Sequence, residues 1–186
     1  MIHWGIEKEV QTCLGESRLE TVCNLPNEDY VVCSTKKTFF MSLNRIKIVS
    51  SNIYCAMIFV DSMDMIFAVD VGLCCLSAFQ PRNPNDFYLK HYQLGQLSVH
   101  QLYFDKSLNL LITIGNNIGI WKISKNPNIS KLEERILIEL QNTIPSTQYV
   151  QGLHDIYIDE PRSRLIQPSS NGFVVYQYDG QMVINV

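Results

Sequence analysis

The stretch VHQLYFDKSLNLLITIGNNIGIWKI, residues 99–123, decides the fold, because it holds three short apolar runs that are each closed by a turn signal. The first run ends in the polar segment 105–109, whose Asp, Ser and Asn side chains can satisfy turn backbone groups. The second run, 110–114, is rich in branched side chains that suit a pleated sheet. Residues 115–117 are Gly-Asn-Asn, types that tolerate the positive φ of tight hairpin turns. The pattern predicts a three-stranded meander.

The third run carries a tryptophan in an alternating strand pattern. Ile118, Ile120 and Lys122 fall on one face of the predicted strand, and Gly119, Trp121 and Ile123 fall on the other. The order of strand, Asp-led turn, Leu-Leu strand, Gly-Asn turn and Ile-x-Ile-Trp resembles one repeat of the WD40 family of β-propellers. Two positions depart from the family pattern: the chain has Gly95-Gln96 in place of Gly-His, and Lys122 in place of the Asp of Trp-Asp. The alternative is a generic antiparallel meander with a buried Trp.

Other parts of the chain repeat this unit. Residues 153–159, LHDIYID, align with 99–105, VHQLYFD, and 56–61 form a weaker copy. The alignment makes Asp61, Asp105 and Asp159 equivalent, with a longer second interval that predicts an insertion after residue 125.

The resemblance implies an all-β fold of antiparallel, four-stranded WD40-like propeller blades, about four in number and forming an incomplete ring. The predicted ranges are a trailing half-blade at 1–18 and blades at 19–50, 51–98, 99–152 and 153–186. Trp4 and Tyr176 take the place of Trp121 in their own blades, and we expect all three aromatic residues to have structural roles. Asp61, Asp105 and Asp159 are expected to be structural residues of turns. Residues 131–141 fit either an outer strand, which the repeat favours, or a short helix with apolar residues at helical spacing.

Composition narrows the classes of function. The chain has 186 residues with a formal net charge of −3 and no basic run, so we expect no binding to nucleic acid or to an anionic membrane. We expect no signal peptide, and no apolar stretch of the sequence is long enough for a spanning helix. Six cysteines without a Cys-x-x-Cys motif predict free thiols in a reducing, cytoplasmic setting.

Three groups of residues are candidates for catalysis or metal binding. His100 and His154 are equivalent in the repeat and therefore fall in separate blades, which favours structural or contact roles over a shared site. Close carboxylates, Asp61 with Asp64 and Asp155 with Asp159, could perform acid–base chemistry only in a cleft, and turn formation explains them equally well.

Cys74 and Cys75 are predicted to lie in a strand at 73–79, where adjacent side chains point to opposite faces and cannot share a metal. No nucleotide-binding, hydrolase or metalloprotease motif is present in the sequence. We therefore expect no metal and no cofactor.

Two functions remain open. The first is a non-catalytic scaffold for protein–protein interactions, with Tyr88, His91, Tyr92 and Tyr149 as candidate partner-binding residues because they accompany Pro/Asn-rich loops. The alternative is a propeller enzyme, a hydrolase or lyase, with its site in a central channel lined by the first strand of each blade. The scarcity of polar residues in those strands favours the scaffold. An incomplete ring would also leave open blade edges through which the chain could associate with itself.

Overall fold

A computed structural model describes residues 17–42, 45–80, 90–94, 99–126, 128–129, 136–145, 156–169, 172–178 and 183–185. Residues 1–16 of the half-blade predicted at 1–18, with Trp4, lie outside these residues, as do residues 81–89 with Tyr88 and residues 146–155 with Tyr149 and His154. The side chain of His91 is also outside the description.

Sixteen strands are described, and they form four antiparallel sheets of four strands, each in chain order. The first sheet contains β1 (Leu19–Asn24), β2 (Tyr30–Ser34), β3 (Thr38–Ser42) and β4 (Arg45–Ser50). The second contains β5 (Tyr54–Val60), β6 (Met65–Asp70), β7 (Cys75–Phe79) and β8 (Lys90–Gln93). The third contains β9 (Val99–Asp105), β10 (Leu110–Gly115), β11 (Asn117–Lys125) and β12 (Ile136–Pro145). The fourth contains β13 (Tyr157–Asp159), β14 (Arg164–Ser169), β15 (Gly172–Tyr178) and β16 (Val183–Asn185).

The predicted fold of four-stranded antiparallel sheets is confirmed. The described residues contain short 3₁₀ turns but no α-helix. The ambiguous segment near residue 136 is a strand, because β12 pairs along the whole of β11, from Asn117 with Pro145 to Lys125 with Ile136. Pairing with an adjacent strand outweighs the helical spacing of its apolar side chains.

The chain divides into two compact units, Met1–Gln93 and Leu94–Val186. In the first unit, a core formed by the first two sheets includes Val31, Tyr54, Ile66 and Phe79. The ring centroids of Tyr54 and Phe79 lie 5.6 Å apart.

In the second unit, the third and fourth sheets pack through one face each. Ile112 and Ile120 from the third sheet contribute to this core, and Leu165, Tyr176 and Tyr178 come from the fourth. All five side chains are buried. Burial of one apolar face of each sheet is what holds these layers together.

The turns that connect the first and second strands of three sheets do not align as the sequence predicted at Asp61, Asp105 and Asp159. Each of three such turns ends in a left-handed residue, Asp64, Asn109 or Ser163, with φ of 53°, 54° and 51°. Asp105 and Asp159 lie four positions before the left-handed residue and end a strand, whereas Asp61 lies three positions before it and stands inside the turn. Val60, and not Asp61, is therefore the structural equivalent of Asp105.

Two further details of the turns correct the sequence interpretation. Residues 115–117 contain no positive φ, although their types tolerate it. Cys74 is not in a strand: it lies in the turn at 71–74 with φ 49° and is exposed, while Cys75 begins β7 and is fully buried. The strand expected to start at Leu73 starts two residues later, because the carboxylate of Asp70 accepts a hydrogen bond from the Leu73 N–H and keeps it in the turn.

Within the described part of the chain, no helix has the length and apolar character needed to cross a membrane.

Candidate functional site

A groove of about 490 Å³ lies between the first strands of the first two sheets. It is lined on one side by the end of β1 and the following turn, and on the other by β5 and the start of its turn. Both are edge strands of their sheets. The lining residues are Val22, Cys23, Asn24, Leu25, Pro26, Met57, Ile58, Phe59 and Asp61.

Seven of the nine lining residues have apolar side chains, although polar and apolar atoms contribute about equally to the exposed lining, and the thiol of Cys23 is unreactive. Burial raises the pKa of the Cys23 thiol to about 12, against a smaller lowering by a backbone hydrogen bond from Phe59. Since the thiolate is the nucleophilic form of cysteine, Cys23 is protonated and inert at neutral pH. The thiol therefore behaves as part of the apolar wall.

One carboxylate stands at the rim of the groove. Asp61 is exposed, and its turn is held through its backbone carbonyl, which accepts a hydrogen bond of 3.1 Å from the Asp64 N–H. The carboxylate is thus available to a cationic group on a bound partner. An apolar trough with one acidic rim residue suits an extended peptide that carries apolar side chains and a Lys or Arg.

A second polar arrangement connects the third and fourth sheets. The carboxylate of Asp105 is fully buried and accepts hydrogen bonds from the Ser107 N–H (2.9 Å), the Ser107 hydroxyl (2.7 Å) and the Leu108 N–H (3.1 Å). Its other oxygen accepts a hydrogen bond of 2.9 Å from the Tyr178 hydroxyl on β15. Burial and the adjacent Asp105 both raise the pKa of Tyr178. Asp105 therefore fixes its own turn and attaches that turn to the next sheet.

Glu160 adds a second connection between the same two sheets. Its Oε2 accepts a hydrogen bond of 3.0 Å from the Tyr103 hydroxyl, and its Oε1 accepts one of 3.1 Å from the Lys106 N–H. Burial and Glu160 raise the pKa of Tyr103 to about 12. A carboxylate that accepts hydrogen bonds from a neighbouring sheet stabilises the contact between the two sheets.

The first two sheets contain a related arrangement that sequence reasoning missed. Asp70 is buried, and it accepts hydrogen bonds from the Leu73 N–H (3.0 Å) and the Asn52 side-chain amide (2.8 Å). The Thr38 hydroxyl donates to the backbone carbonyl of Asn52 over 2.9 Å. Asp70 and Asp105 share one feature: each ends a strand four residues before a left-handed residue, Cys74 or Asn109. Residue type does not mark the left-handed position, so the sequence did not reveal this likeness.

The remaining residues with predicted structural roles occupy different environments. The indole N–H of Trp121 is buried and donates a hydrogen bond of 2.9 Å to the Thr113 hydroxyl. Tyr176 is buried in the core between the third and fourth sheets. Asp159 forms an ion pair of 3.0 Å with the exposed Arg162.

The predicted partner-binding residues are described only in part. Tyr92 lies half-buried on β8, and His91 precedes it on the same strand. Tyr88 and Tyr149 fall outside the description, so this set stays a prediction. The groove between β1 and β5 was not anticipated, because its residues are far apart in sequence and carry no motif.

The candidates for catalysis are also described only in part. His100 is half-buried on β9, and its repeat equivalent His154 is outside the described residues. Among the residues the structure describes, no group of three or more His, Cys, Asp or Glu side chains could hold a metal ion.

Comparisons with known proteins define the fold class. No protein-family model and no curated protein sequence matches the chain. Its structure is similar to the β-propeller domain of Cps50 (Swd1) from Myceliophteria thermophila, with a TM-score of 0.70, 9% sequence identity, and coverage of 91% of this chain and 59% of that domain. The four sheets are therefore blades of a β-propeller fold.

Two enzyme-like propellers are also similar. They are proposed 6-phosphogluconolactonases from Bacteroides fragilis and Bacteroides uniformis, each with a TM-score of 0.59, 10% identity, and coverage of 91% of this chain and 54% of the other. The chain thus spans a little more than half the length of the propellers it matches. At such low identity the likeness concerns the fold alone.

Proposed function

We propose that this chain is a non-catalytic, WD40-like scaffold that binds other proteins as part of a larger propeller or multi-protein assembly. The observation that carries the proposal is the groove between β1 and β5, which combines seven residues with apolar side chains and a single rim carboxylate in a lining that also exposes polar atoms. A protonated thiol and one acidic group provide no acid–base pair and no activated nucleophile within the groove. Its chemistry suits binding of a peptide segment better than bond cleavage.

The similarity to a Swd1 propeller domain supports this assignment at the level of fold. Propeller loops and edges are rigid supports for docking surfaces, and such surfaces can bind without any catalytic group. The WD40 features of residues 99–123, with Trp121 buried beside Thr113, point in the same direction.

The groove proposal is tested by selecting binders from a randomised peptide display library against the purified full chain. We expect peptides with apolar residues and a Lys or Arg, and we expect Asp61→Lys to weaken their binding at least about tenfold, which corresponds to about 1.4 kcal/mol. Glu139→Lys on β12 is the matched control, since it makes the same charge change at an exposed position that is not part of the groove lining, and this variant should bind normally. Peptides that bind both variants like the original chain would contradict the groove as the site.

The enzyme alternative rests on the two lactonase-like neighbours and has a direct test. The purified chain is incubated with 6-phosphogluconolactone, and acid release is followed at constant pH. We expect the rate of the uncatalysed reaction. Saturable hydrolysis in proportion to the amount of chain would overturn the non-catalytic assignment.

A further inference from the structure

The groove between β1 and β5 has two chemically different ends, because both strands run in the same direction along it. The Sγ of Cys33, which pairs in register with Thr21 on β1, accepts a hydrogen bond of 3.1 Å from the Tyr54 N–H at the start of β5. Further along, the Cys23 thiol is hydrogen-bonded to the backbone of Phe59. The contacts therefore advance from the start to the end of both strands, and the turns that follow β1 and β5 lie at the same end of the groove.

The end of the groove at these two turns is acidic. The turn after β1 contains Glu28 and Asp29, and the turn after β5 contains Asp61 and Asp64, whereas neither turn contains Lys, Arg or His. Asp61 lines the groove itself, and Glu28 follows the lining residue Pro26 within one 3₁₀ turn. Both Asp61 and Glu28 are exposed. This end therefore favours a positively charged group on a bound peptide.

The opposite end of the groove has apolar side chains and no excess of either charge. Its lining there consists of Val22 on β1 and Met57 on β5. The charged residues that precede Val22, which are Arg18 and Glu20, are both exposed and have opposite signs. No charged residue occurs in β5. The groove thus changes from apolar side chains to carboxylates along its length.

The length of the groove limits how much of a peptide it can hold. Its lining extends over residues 22–26 and 57–61. Each of these segments is about 13 Å long at ~3.3 Å per extended residue, so the groove matches about five residues of an extended peptide. Alternate side chains of such a peptide point to the same side. Two apolar side chains separated by one residue can therefore contact the wall, and the residues next to them reach the acidic end.

We propose that the groove selects peptides by the order of their residues: two apolar residues at alternate positions, with Lys or Arg next to them at one end only. The apolar side chains lie beside Val22 and Met57, and the basic side chains pair with the carboxylates of Glu28 and Asp61. A basic residue between the two apolar residues lies away from both carboxylates. The proposal rests on the proposed peptide-binding function, which requires apolar and basic residues but no particular order.

The test compares three synthetic peptides of identical composition, acetylated and amidated so that they carry no terminal charge. Their central sequences are Leu-Thr-Leu-Arg-Arg, Arg-Arg-Leu-Thr-Leu and Leu-Arg-Thr-Arg-Leu, each between Gly-Ser flanks. Binding to the purified full chain is measured by isothermal titration calorimetry. We expect one of the first two peptides to bind at least about threefold more tightly than the third, which is the size of effect that two exposed ion pairs produce.

Neutral variants show whether the acidic end causes this preference. In Glu28→Gln with Asp61→Asn, the three peptides should bind with equal affinity, because no order of residues then forms an ion pair. The matched control is Glu20→Gln with Glu139→Gln, which removes two exposed carboxylates outside the acidic end, one on β1 and one on β12. This control should keep the preference. Sodium chloride should weaken the preference of the original chain, because salt screens exposed ion pairs.

Circular dichroism shows whether each variant is folded, and Asp61→Asn alone, with a partial loss of the preference, replaces the double variant if that does not fold. Equal or tighter binding of the Leu-Arg-Thr-Arg-Leu peptide to the original chain overturns the order preference and leaves the peptide-binding function in place. A preference that survives in the folded neutral variant, or that the control also loses, overturns the role of the acidic end. If neither these peptides nor any library peptide binds, the peptide-binding function itself is contradicted, and the order preference with it.

Discussion

Gly119 shows how one residue without a side chain allows Trp121 to make its hydrogen bond. A Cβ atom at position 119 would lie 2.5 Å from the hydroxyl oxygen of Thr113 and 2.7 Å from the indole nitrogen of Trp121. Those two atoms form the buried Trp121–Thr113 hydrogen bond. The small residue beside the tryptophan is therefore required by space, and not by backbone conformation.

We predict that Gly119→Ala destabilises the protein by about 1–3 kcal/mol, because the added methyl group separates Trp121 from Thr113 in a packed core. Urea denaturation measured by tryptophan fluorescence would report the change. Gly72→Ala is the control: its Cβ would meet the nearest atom at 3.5 Å, an ordinary contact, so its effect should stay within about 0.5 kcal/mol. Equal effects of the two changes would contradict the steric explanation.

Asp61, Asp105 and Asp159 were aligned by residue type, and this alignment was insufficient to predict their exact positions in the turns. The alignment by residue type correctly placed an Asp beside each turn, but Asp61 stands one position later than Asp105 and Asp159 relative to the left-handed residue. Sequence alone could not show this, because the left-handed position is filled by Asp64 in one turn and by Ser163 in another. Residue type does not mark that position, whereas strand pairing determines it.

At the scale of elements, the turn between β9 and β10 depends on one buried carboxylate. Asp105 receives three hydrogen bonds from its own turn and one from Tyr178 on β15. We predict that Asp105→Ala costs about 1–3 kcal/mol, because it leaves buried donors without an acceptor. Asp61→Ala, at an exposed position, should change the unfolding free energy by less than about 0.5 kcal/mol. A similar denaturation midpoint for both variants would show that Asp105 has no such role.

The same elements should make stability sensitive to alkaline pH. The folded state raises the pKa of Tyr103 to about 12 and also raises that of Tyr178, mainly through burial. In the unfolded chain a tyrosine titrates near pH ~10, so the unfolded state releases these protons first. The stabilisation is complete below about pH 10 and is lost as the pH rises through the folded pKa values.

We predict that the urea midpoint is constant from about pH 6 to 7.5, begins to fall above about pH 8, where the thiols of the unfolded chain lose protons that the buried cysteines keep, and falls more steeply above about pH 10, where the tyrosines of the unfolded chain titrate. Tyr103→Phe should be less stable at neutral pH, because it loses the hydrogen bond to Glu160, and its midpoint should fall less steeply with pH. If the variant and the original chain show the same slope, Tyr103 does not contribute to the alkaline loss.

For the whole molecule, the sequence was sufficient to predict the order of the strands, but not which faces of the sheets are buried and which are exposed. Alternating apolar residues and turn signals marked β2, β10 and β15 closely, because each of them is short and bounded by polar residues. Tyr157 and Phe173 are exposed, yet the alternation around them looks the same as that of a core strand. Whether such a face is covered depends on a neighbouring sheet, which local sequence cannot indicate. The groove between β1 and β5 was missed for the same reason.

The cysteines differ in burial, and their thiols should therefore differ in reactivity. Burial raises the pKa of Cys23 to about 12 and raises the pKa values of Cys33 and Cys75, so these three thiols stay protonated and shielded. Cys74 is exposed in its turn although it is adjacent to the buried Cys75. Of the five cysteines that the structure describes, Cys74 should therefore react first with a thiol reagent.

We predict that brief treatment of the native chain with iodoacetamide modifies Cys74 at least about tenfold faster than Cys23, Cys33 or Cys75, with peptide sites assigned by mass spectrometry. Cys74→Ser should remove this fast modification and leave the slow sites unchanged. In concentrated denaturant all six cysteines of the chain should react at similar rates, because burial is then lost. Fast native labelling of Cys23 or Cys33 would mean that the first two sheets open readily or do not pack as described, and it would remove the basis for an apolar groove between β1 and β5.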